Sequence, residues 1–299
     1  MTAYRGRFAP SPTGPLHFGS LVAAVASFCE ARRHGGQWLL RMEDLDGPRT
    51  VPGAAADILR TLEQLGFAWD GDVMVQSLRG AAYADALEKL RTTGRVFACA
   101  CTRKEIADST LNADGERIYP GTCRHGLAPG REARALRLRV DEEIIGFDDA
   151  VQGPVRQDLA RVIGDFVLRR ADGIHAYQLA VVVDDAAQGI TKVVRGADLL
   201  DSTPRQILIQ RLLNHPTPAY AHVPVAVNDA GEKLSKQTLA PAIDAGKGAK
   251  VLVQALRFLG QPAPQELARS SSAEVWAWVR DNWRLDHVPR RRSLPADNA

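Results

Sequence analysis

The chain has 299 residues, 45% apolar and 24% charged, an ordinary globular composition with length for one large domain or two modest ones. A formal charge of +3 at neutral pH permits a nucleic-acid partner without arguing for one. No apolar run reaches the roughly 18 residues of a membrane span, and the first residues lack a basic segment followed by an apolar stretch, so a cytoplasmic protein without a membrane anchor is expected, a monomer by default.

Residues 4–9 read as a short strand, broken by Pro10, Pro12 and Pro15. A helix follows from about Gly19 to His34, with Leu21, Val22, Val25, Phe28 and Cys29 on one apolar face and Gly35 and Gly36 as its stop. "QWLLRMED" reads as a buried strand. Helices are predicted over 52–66, with proline near the start and glycine past the end, and over 80–94. This alternation of strand and helix implies a parallel sheet covered by helices.

The pattern then changes. From "VFACAC" to "TCRHG" helical periodicity fades and turn formers accumulate, which marks an inserted module. "RALRLRV" alternates as a half-exposed strand. "DFVLRRADGIHAYQLAVVVDD" reads as a hairpin turning at Ala171, Asp172 and Gly173, its second arm entering the core. "STPRQILIQRLLN" reads as a helix with Thr203 as N-cap and Pro204 in the first turn. "HVPVAVN" is a strand and "GEKLSKQT" the loop after it. Two amphipathic helices, "AKVLVQALRFLG" and "SAEVWAWVRDNW", form a small tail, and the last dozen residues, with Arg290, Arg291 and Arg292, read as frayed. The expected division is a first half of the catalytic domain over 1–98, an insert over 99–150, the second half over 151–240 and a helical region over 241–299.

Three stretches carry chemistry. In "RGRFAPSPTGPLHFGS" the glycines allow close backbone approach and the following helix offers unpaired N–H groups, which suits a polyphosphate; an ordinary proline turn with His17 as a helix cap is the other reading. In "GEKLSKQT" Lys233 and Lys236 flank a small serine, a pair of mobile positive charges suited to a phosphoryl group or simply to a solvated loop. The third is a cysteine module: four cysteines, three of them at 99, 101 and 123, fit a reducing compartment and a structural zinc site better than a disulfide scaffold, and generic chemistry offers His125 as the fourth ligand.

"FAPSPTGPLHFGS" resembles the HIGH-type signature of class I aminoacyl-tRNA synthetases in its glutamyl form, and "KLSKQ" resembles their KMSKS loop. "RMEDLD", "YQLAVVVDD" and "VRGADLL" fall between them in the order shown by the glutamyl and glutaminyl enzymes, and the resemblance covers roughly residues 4–260. It departs at Ser20, where the tetrapeptide ends in histidine, and at Gln237, where the loop ends in serine.

The resemblance implies an α/β fold with a Rossmann-like parallel sheet, interrupted by a zinc-binding module and followed by a short helical C-terminal region. It implies a ligase that joins L-glutamate to ATP with Mg²⁺, catalysed by His17, Lys233 and Lys236. Glutamate would be bound by Arg7, Ala9, Ser11, Glu43, Tyr177 and Arg195, with Glu43 on the ammonium, Arg7 and Tyr177 on the side-chain carboxylate and Arg195 on the α-carboxylate. ATP would meet Pro10, His17, Gly19, Ser20 and Lys236. The family's zinc pattern selects Cys99, Cys101, Tyr119 and Cys123, with Tyr119 in place of His125. With only about 60 residues after the loop, against a whole anticodon-binding domain in the conventional enzymes, the expected branch is the truncated one that transfers glutamate to queuosine, the modified wobble base of tRNA(Asp). The alternatives are a conventional glutamyl enzyme charging the 3′ end, a glutaminyl enzyme, or a non-catalytic zinc-containing tRNA-binding relic. Arg103, Lys104, Arg124 and the cluster Arg290, Arg291 and Arg292 are candidate tRNA contacts.

Overall fold

The computed structural model describes residues 3–107, 109–111, 117–234 and 241–296. The first strand, β1 (Arg5–Phe8), leads through the proline turn into α1 (Phe18–Arg33), which returns over the sheet to β2 (Gln37–Met42). The face predicted for α1 is the buried one: Leu21, Val22, Val25 and Cys29 are at most 1% exposed. Then come α2 (Ala54–Gln64), β3 (Met74–Val75) and α3 (Gly80–Thr92). The strands β1, β2 and β3 pair in parallel, as the alternation predicts.

The next segment leaves this sheet. β4 (Val96–Cys99) is followed by a single turn, α4 (Arg103–Ile106), closed by a capping box between Thr102 and Glu105. β5 (Ala135–Leu138) pairs antiparallel with β4, and β6 (Ile144–Asp149) and β7 (Gly153–Asp158) form a hairpin. α5 (Leu159–Val162) leads to β8 (Phe166–Arg169), which completes the antiparallel β4-β5-β8 sheet.

The turn predicted at 171–173 is present, but the second arm of the hairpin is a helix. Arg169 and His175 form one antiparallel bridge, and the chain then winds into α6 (Tyr177–Ala187). Residues 179–185 are all buried, Asp184 and Asp185 among them, so the helix is covered around nearly its whole circumference and its short β-branched run carries no readable period. β9 (Lys192–Gly196) passes through a 3₁₀ turn into α7 (Thr203–Leu212). Here the cap is Ser202, not Thr203, and it makes no side-chain capping bond; Thr203 is the first helical residue and its hydroxyl turns inward. The single strand predicted at 222–228 is two, β10 (Ala219–Val223) and β11 (Val225–Val227), because Pro224 has no N–H for the ladder.

β10 pairs in parallel with both β9 and β6, and β9 lies beside β1, where Thr191 N donates to Arg5 O at 2.9 Å. The two halves of the sequence thereby meet at β1 and β9, both packed against α1. The helices α8 (Gly248–Phe258) and α9 (Ser272–Asn282) pack on α1. Trp276 meets Phe28 and Phe67 edge to face, and Trp283 Nε1 donates to the buried Glu30 at 2.8 Å. Gly66, at φ 79°, leaves room for the Trp276 ring: a β-carbon there would stand 3.1 Å from Trp276 Nε1. Among the described residues the tail is paired rather than frayed. β12 (Ser293–Pro295) pairs in parallel with β11, anchored by Arg292 on Asp201 at 2.7 Å.

Candidate active site

A cavity of about 710 Å³ opens where β1, β2, β9 and β10 end. β1 pairs in parallel with β2 and β9 with β10, and the residues at their carboxyl ends line the cavity, the usual place for ligands in open α/β folds. Arg7, Ala9, Ser11, Glu43, Tyr177 and Arg195 line it. So do Pro10, His17, Gly19, Ser20 and Lys233. Lys236 lies outside the described residues.

The proline turn places His17 at the N-terminus of α1, where both local readings of that residue coexist. His17 caps the helix, its Nδ1 accepting from Ser20 N at 3.3 Å, and its ring also borders the cavity. Ser20 Oγ lies 3.0 Å from His17 Nε2, so the serine that replaces the family's second histidine orients the first. From the opposite side, a tight turn over Asn228–Gly231 returns the chain beside β11, with Leu234 N donating to Ala226 O at 2.8 Å. Lys233 pairs with Asp198 at 2.5 Å on the cavity wall. Ile243 N donates to Leu16 O at 2.9 Å, which ties the chain beyond the lysine loop to the proline turn.

The amino-acid end of the cavity is built on buried charge. Arg7 is 3% exposed and grips Asp185 with Nε and Nη2, at 3.1 and 3.3 Å, in a bidentate pair. Arg41, with no exposed surface, bridges Asp185 (2.7 Å) and Glu43 (3.1 Å) and also reaches Gln188 (2.8 Å). Burial pushes the Asp185 carboxyl up, but Arg7 and Arg41 together overcome it and hold the group below its usual range. For Glu43 the balance falls the other way: burial dominates the pull of Arg41 and Arg7, and its carboxyl titrates above the ordinary value. Burial likewise raises the Tyr177 phenol against the opposing effect of Arg195.

Arg195 is 5% exposed and has no carboxylate within ion-pair distance among the described residues. Its Nε donates to His222 Nε2 at 3.0 Å, its Nη2 to Thr203 Oγ1 at 2.9 Å and Gln206 Oε1 at 2.8 Å, and its Nη1 lies 3.5 Å from Tyr177 Oη. Sequence reasoning singled out none of Arg41, Asp185, His222 or Asp149. "RMED" carries Arg41 and "VVVDD" carries Asp185, but nothing local announces which charges will meet.

The cysteine module forms a compact donor set. The sulfurs of Cys99, Cys101 and Cys123 lie within 4.8 Å of one another, Cys101 and Cys123 at 3.6 Å. Tyr119 Oη stands 3.5 Å from Cys99 Sγ and 3.7 Å from Cys101 Sγ, and Arg137 stacks over the Tyr119 ring at 3.9 Å. His125 is exposed and is not part of the cluster. A tetrahedral ion with metal–sulfur bonds of about 2.3 Å sets its sulfurs about 3.8 Å apart, so the three thiols can hold a metal. Of the candidate tRNA contacts, Arg124 pairs with Asp141 and Arg292 with Asp201, while Arg103 and Lys104 are exposed on α4.

Residues 3–266 match the family model of tRNA synthetases class I (E and Q), catalytic domain. A protein of Dechloromonas aromatica (strain RCB) named glutamyl-Q tRNA(Asp) synthetase is 63% identical over 290 residues, covering 96% of each chain. One of the same name from Neisseria meningitidis serogroup B is 54% identical, over 96% of this chain and 98% of that one. The crystal structure of glutamate-tRNA synthetase from Elizabethkingia anophelis superposes with a TM-score of 0.80 over 98% of this chain and 68% of that one, at 24% identity, a likeness of fold. The chain belongs to the class I tRNA synthetases of the E and Q type.

Proposed function

We propose that this chain is a ligase that activates L-glutamate with ATP to glutamyl-adenylate and then transfers the glutamate to the queuosine base of tRNA(Asp). The observation that carries the reading is the cavity itself, in which two signature segments from opposite ends of the catalytic sequence share one wall system with a charged amino-acid pocket. The names of the full-length relatives supply the acceptor.

In the first step a glutamate α-carboxylate oxygen attacks the ATP α-phosphorus and pyrophosphate leaves. Arg195 and Arg7, with Tyr177, orient the two carboxylates, and Glu43 accepts the ammonium through the carboxylate oxygen that Arg41 leaves open. Ala9 and Ser11 form the pocket wall. Pro10, Gly19, Ser20 and His17 cradle the phosphates, with Lys233 and Lys236 offsetting the charge that develops, and Mg²⁺ arrives with ATP. Catalysis is then positioning plus electrostatics. In the second step a hydroxyl of the queuosine cyclopentene ring attacks the carbonyl of the mixed anhydride, AMP leaves, and the hydroxyl proton passes to solvent. AMP is a good leaving group, so no nucleophilic side chain is required.

A zinc ion held by Cys99, Cys101, Cys123 and Tyr119 would supply folding energy to the insert. The domain limits at 98, 150 and 240, a cytoplasmic location and a monomeric state belong to the same proposal. The test is pyrophosphate exchange into ATP, with glutamate and without tRNA, followed by charging of tRNA(Asp) with and without queuosine. Exchange with charging of the modified tRNA alone is the expected result. Equal charging of both tRNAs points to a conventional synthetase, and absence of exchange at saturating substrate leaves the RNA-binding relic.

A further inference from the structure

His222 on β10 stands directly across the parallel ladder from Arg195 on β9, and it has no exposed surface. Its Nδ1 lies 2.6 Å from Asp149 Oδ2 and its Nε2 3.0 Å from Arg195 Nε. An arginine nitrogen can only donate, so Nε2 must offer its lone pair and Nδ1 must carry the proton. One neutral tautomer satisfies both contacts. Asp149 cannot swing away to allow the other: its Oδ1 accepts from the backbone N–H of Val151, Gln152 and His222 at 3.0, 2.9 and 3.0 Å.

The consequence falls on Arg195. With Nε on His222 and Nη2 on Thr203 and Gln206, two edges of the guanidinium are fixed from behind, and Nη1 remains beside Tyr177 at the cavity. Every partner of Arg195 among the described residues is neutral. No carboxylate contacts its guanidinium directly, the nearest in the chain of contacts being Asp149 behind His222, whereas Asp185 pairs with Arg7 itself. A buried cation of this kind is expensive unless a ligand neutralises it, and its usefulness depends on where its plane points.

We propose that His222, in the single tautomer imposed by Asp149, is a positioning residue that sets the Arg195 guanidinium for a substrate carboxylate. This rests on the role given to Arg195 in the proposed function, and the test separates the two.

Four variants of the full chain are compared by glutamate-dependent pyrophosphate exchange, with melting temperatures to establish that each is folded. His222→Gln keeps an acceptor near the Nε2 position. His222→Asn keeps a donor for Asp149 but leaves Arg195 Nε without an acceptor. In Asp149→Asn the three backbone N–H groups hold the amide oxygen, so the amide nitrogen faces Nδ1 and drives the imidazole proton towards Arg195. Arg195→Gln tests the reading itself. Losing a hydrogen bond to a buried charge corresponds to about tenfold or more, so His222→Asn and Asp149→Asn are expected to raise the glutamate KM by at least that factor. The KM for ATP should stay within about twofold, and His222→Gln should restore the glutamate KM to within about threefold. Equal impairment of the Gln and Asn variants, or a parallel rise in both KM values, means a merely structural histidine and overturns the proposal. Unchanged KM values in the His222 and Asp149 variants overturn it while leaving Arg195 in its role, provided Arg195→Gln is impaired. An unimpaired Arg195→Gln overturns the reading and the proposal together. If Asp149→Asn fails to fold, the His222 pair alone decides.

Discussion

Gly19 and Leu234 are in near contact: a β-carbon at Gly19 would stand 3.2 Å from the Leu234 carbonyl oxygen and 3.2 Å from His17 Cε1. The first turn of the first helix and Leu234, between the two lysines of the loop, thus pack against each other beside the cavity. That closeness is what makes two weak sequence signals into one site.

Gly19→Ala measures the tolerance of this contact. Alanine favours a helix over glycine by about 1 kcal/mol, so the melting temperature should hold or rise. The added methyl must displace the His17 ring or the Leu234 carbonyl by a few tenths of an ångström. The ATP KM in pyrophosphate exchange should rise roughly tenfold, short of the hundredfold that a full 1 Å misplacement can cost. An unchanged ATP KM would separate this wall from nucleotide binding.

Arg41 answers to three carboxylates, Asp185, Glu43 and Asp184, from a position without solvent. Arg41→Met leaves those charges buried and partly unpaired, which typically costs about 3–5 kcal/mol. Urea denaturation should show that loss as a lower midpoint, and exchange assays should show weaker glutamate binding because Glu43 loses its anchor. Full stability with full activity would remove Arg41 from both roles.

For the cysteine module, chelator competition on Tyr119→Phe and His125→Ala distinguishes the two fourth ligands. Tyr119→Phe should weaken metal binding by about tenfold or more, at least the loss seen when a supporting partner of a ligand is removed. His125→Ala should leave affinity unchanged, since that residue lies outside the sulfur cluster. The reverse pattern would restore histidine as the ligand.

Stability should also depend on pH through His222. Burial, opposed by Asp149, lowers its pKa from 6.5 to about 4. The unfolded chain therefore takes up the proton first as pH falls, so the stabilisation is complete above about 6.5 and is lost towards pH 4. Asp149, held below its ordinary value by His222 and backbone donors despite its burial, extends the loss at still lower pH. Denaturation midpoints between pH 7 and 4 should fall more steeply for the parent chain than for His222→Gln. Parallel slopes would mean that the histidine does not titrate in this window.

The site was legible in the sequence where it depended on local punctuation. Pro10, Pro12, Gly14 and His17 mark a stiff turn before a helix, and Lys233 follows a glycine turn; each needs only its neighbours to be read. The charged support beneath was not legible, because Arg7 and Arg41 reach Asp185 across 178 and 144 residues and His222 reaches Asp149 across 73. In sequence these are unremarkable acids and bases. The fold shows the same division. Parallel β1-β2-β3 follows from alternation, but α6 hid behind a run of valines buried on all sides, and β12 is too short to show any period.

The packing of α9 on α1 has a kinetic consequence. Phe28 and Glu30 leave the ribosome early, whereas Trp283, which caps Glu30, follows 253 residues after it, and Trp276, which covers Phe28, comes just before Trp283. Until then the nascent first helix carries an uncovered aromatic flank, and final closure of that core has to wait until α9 has emerged.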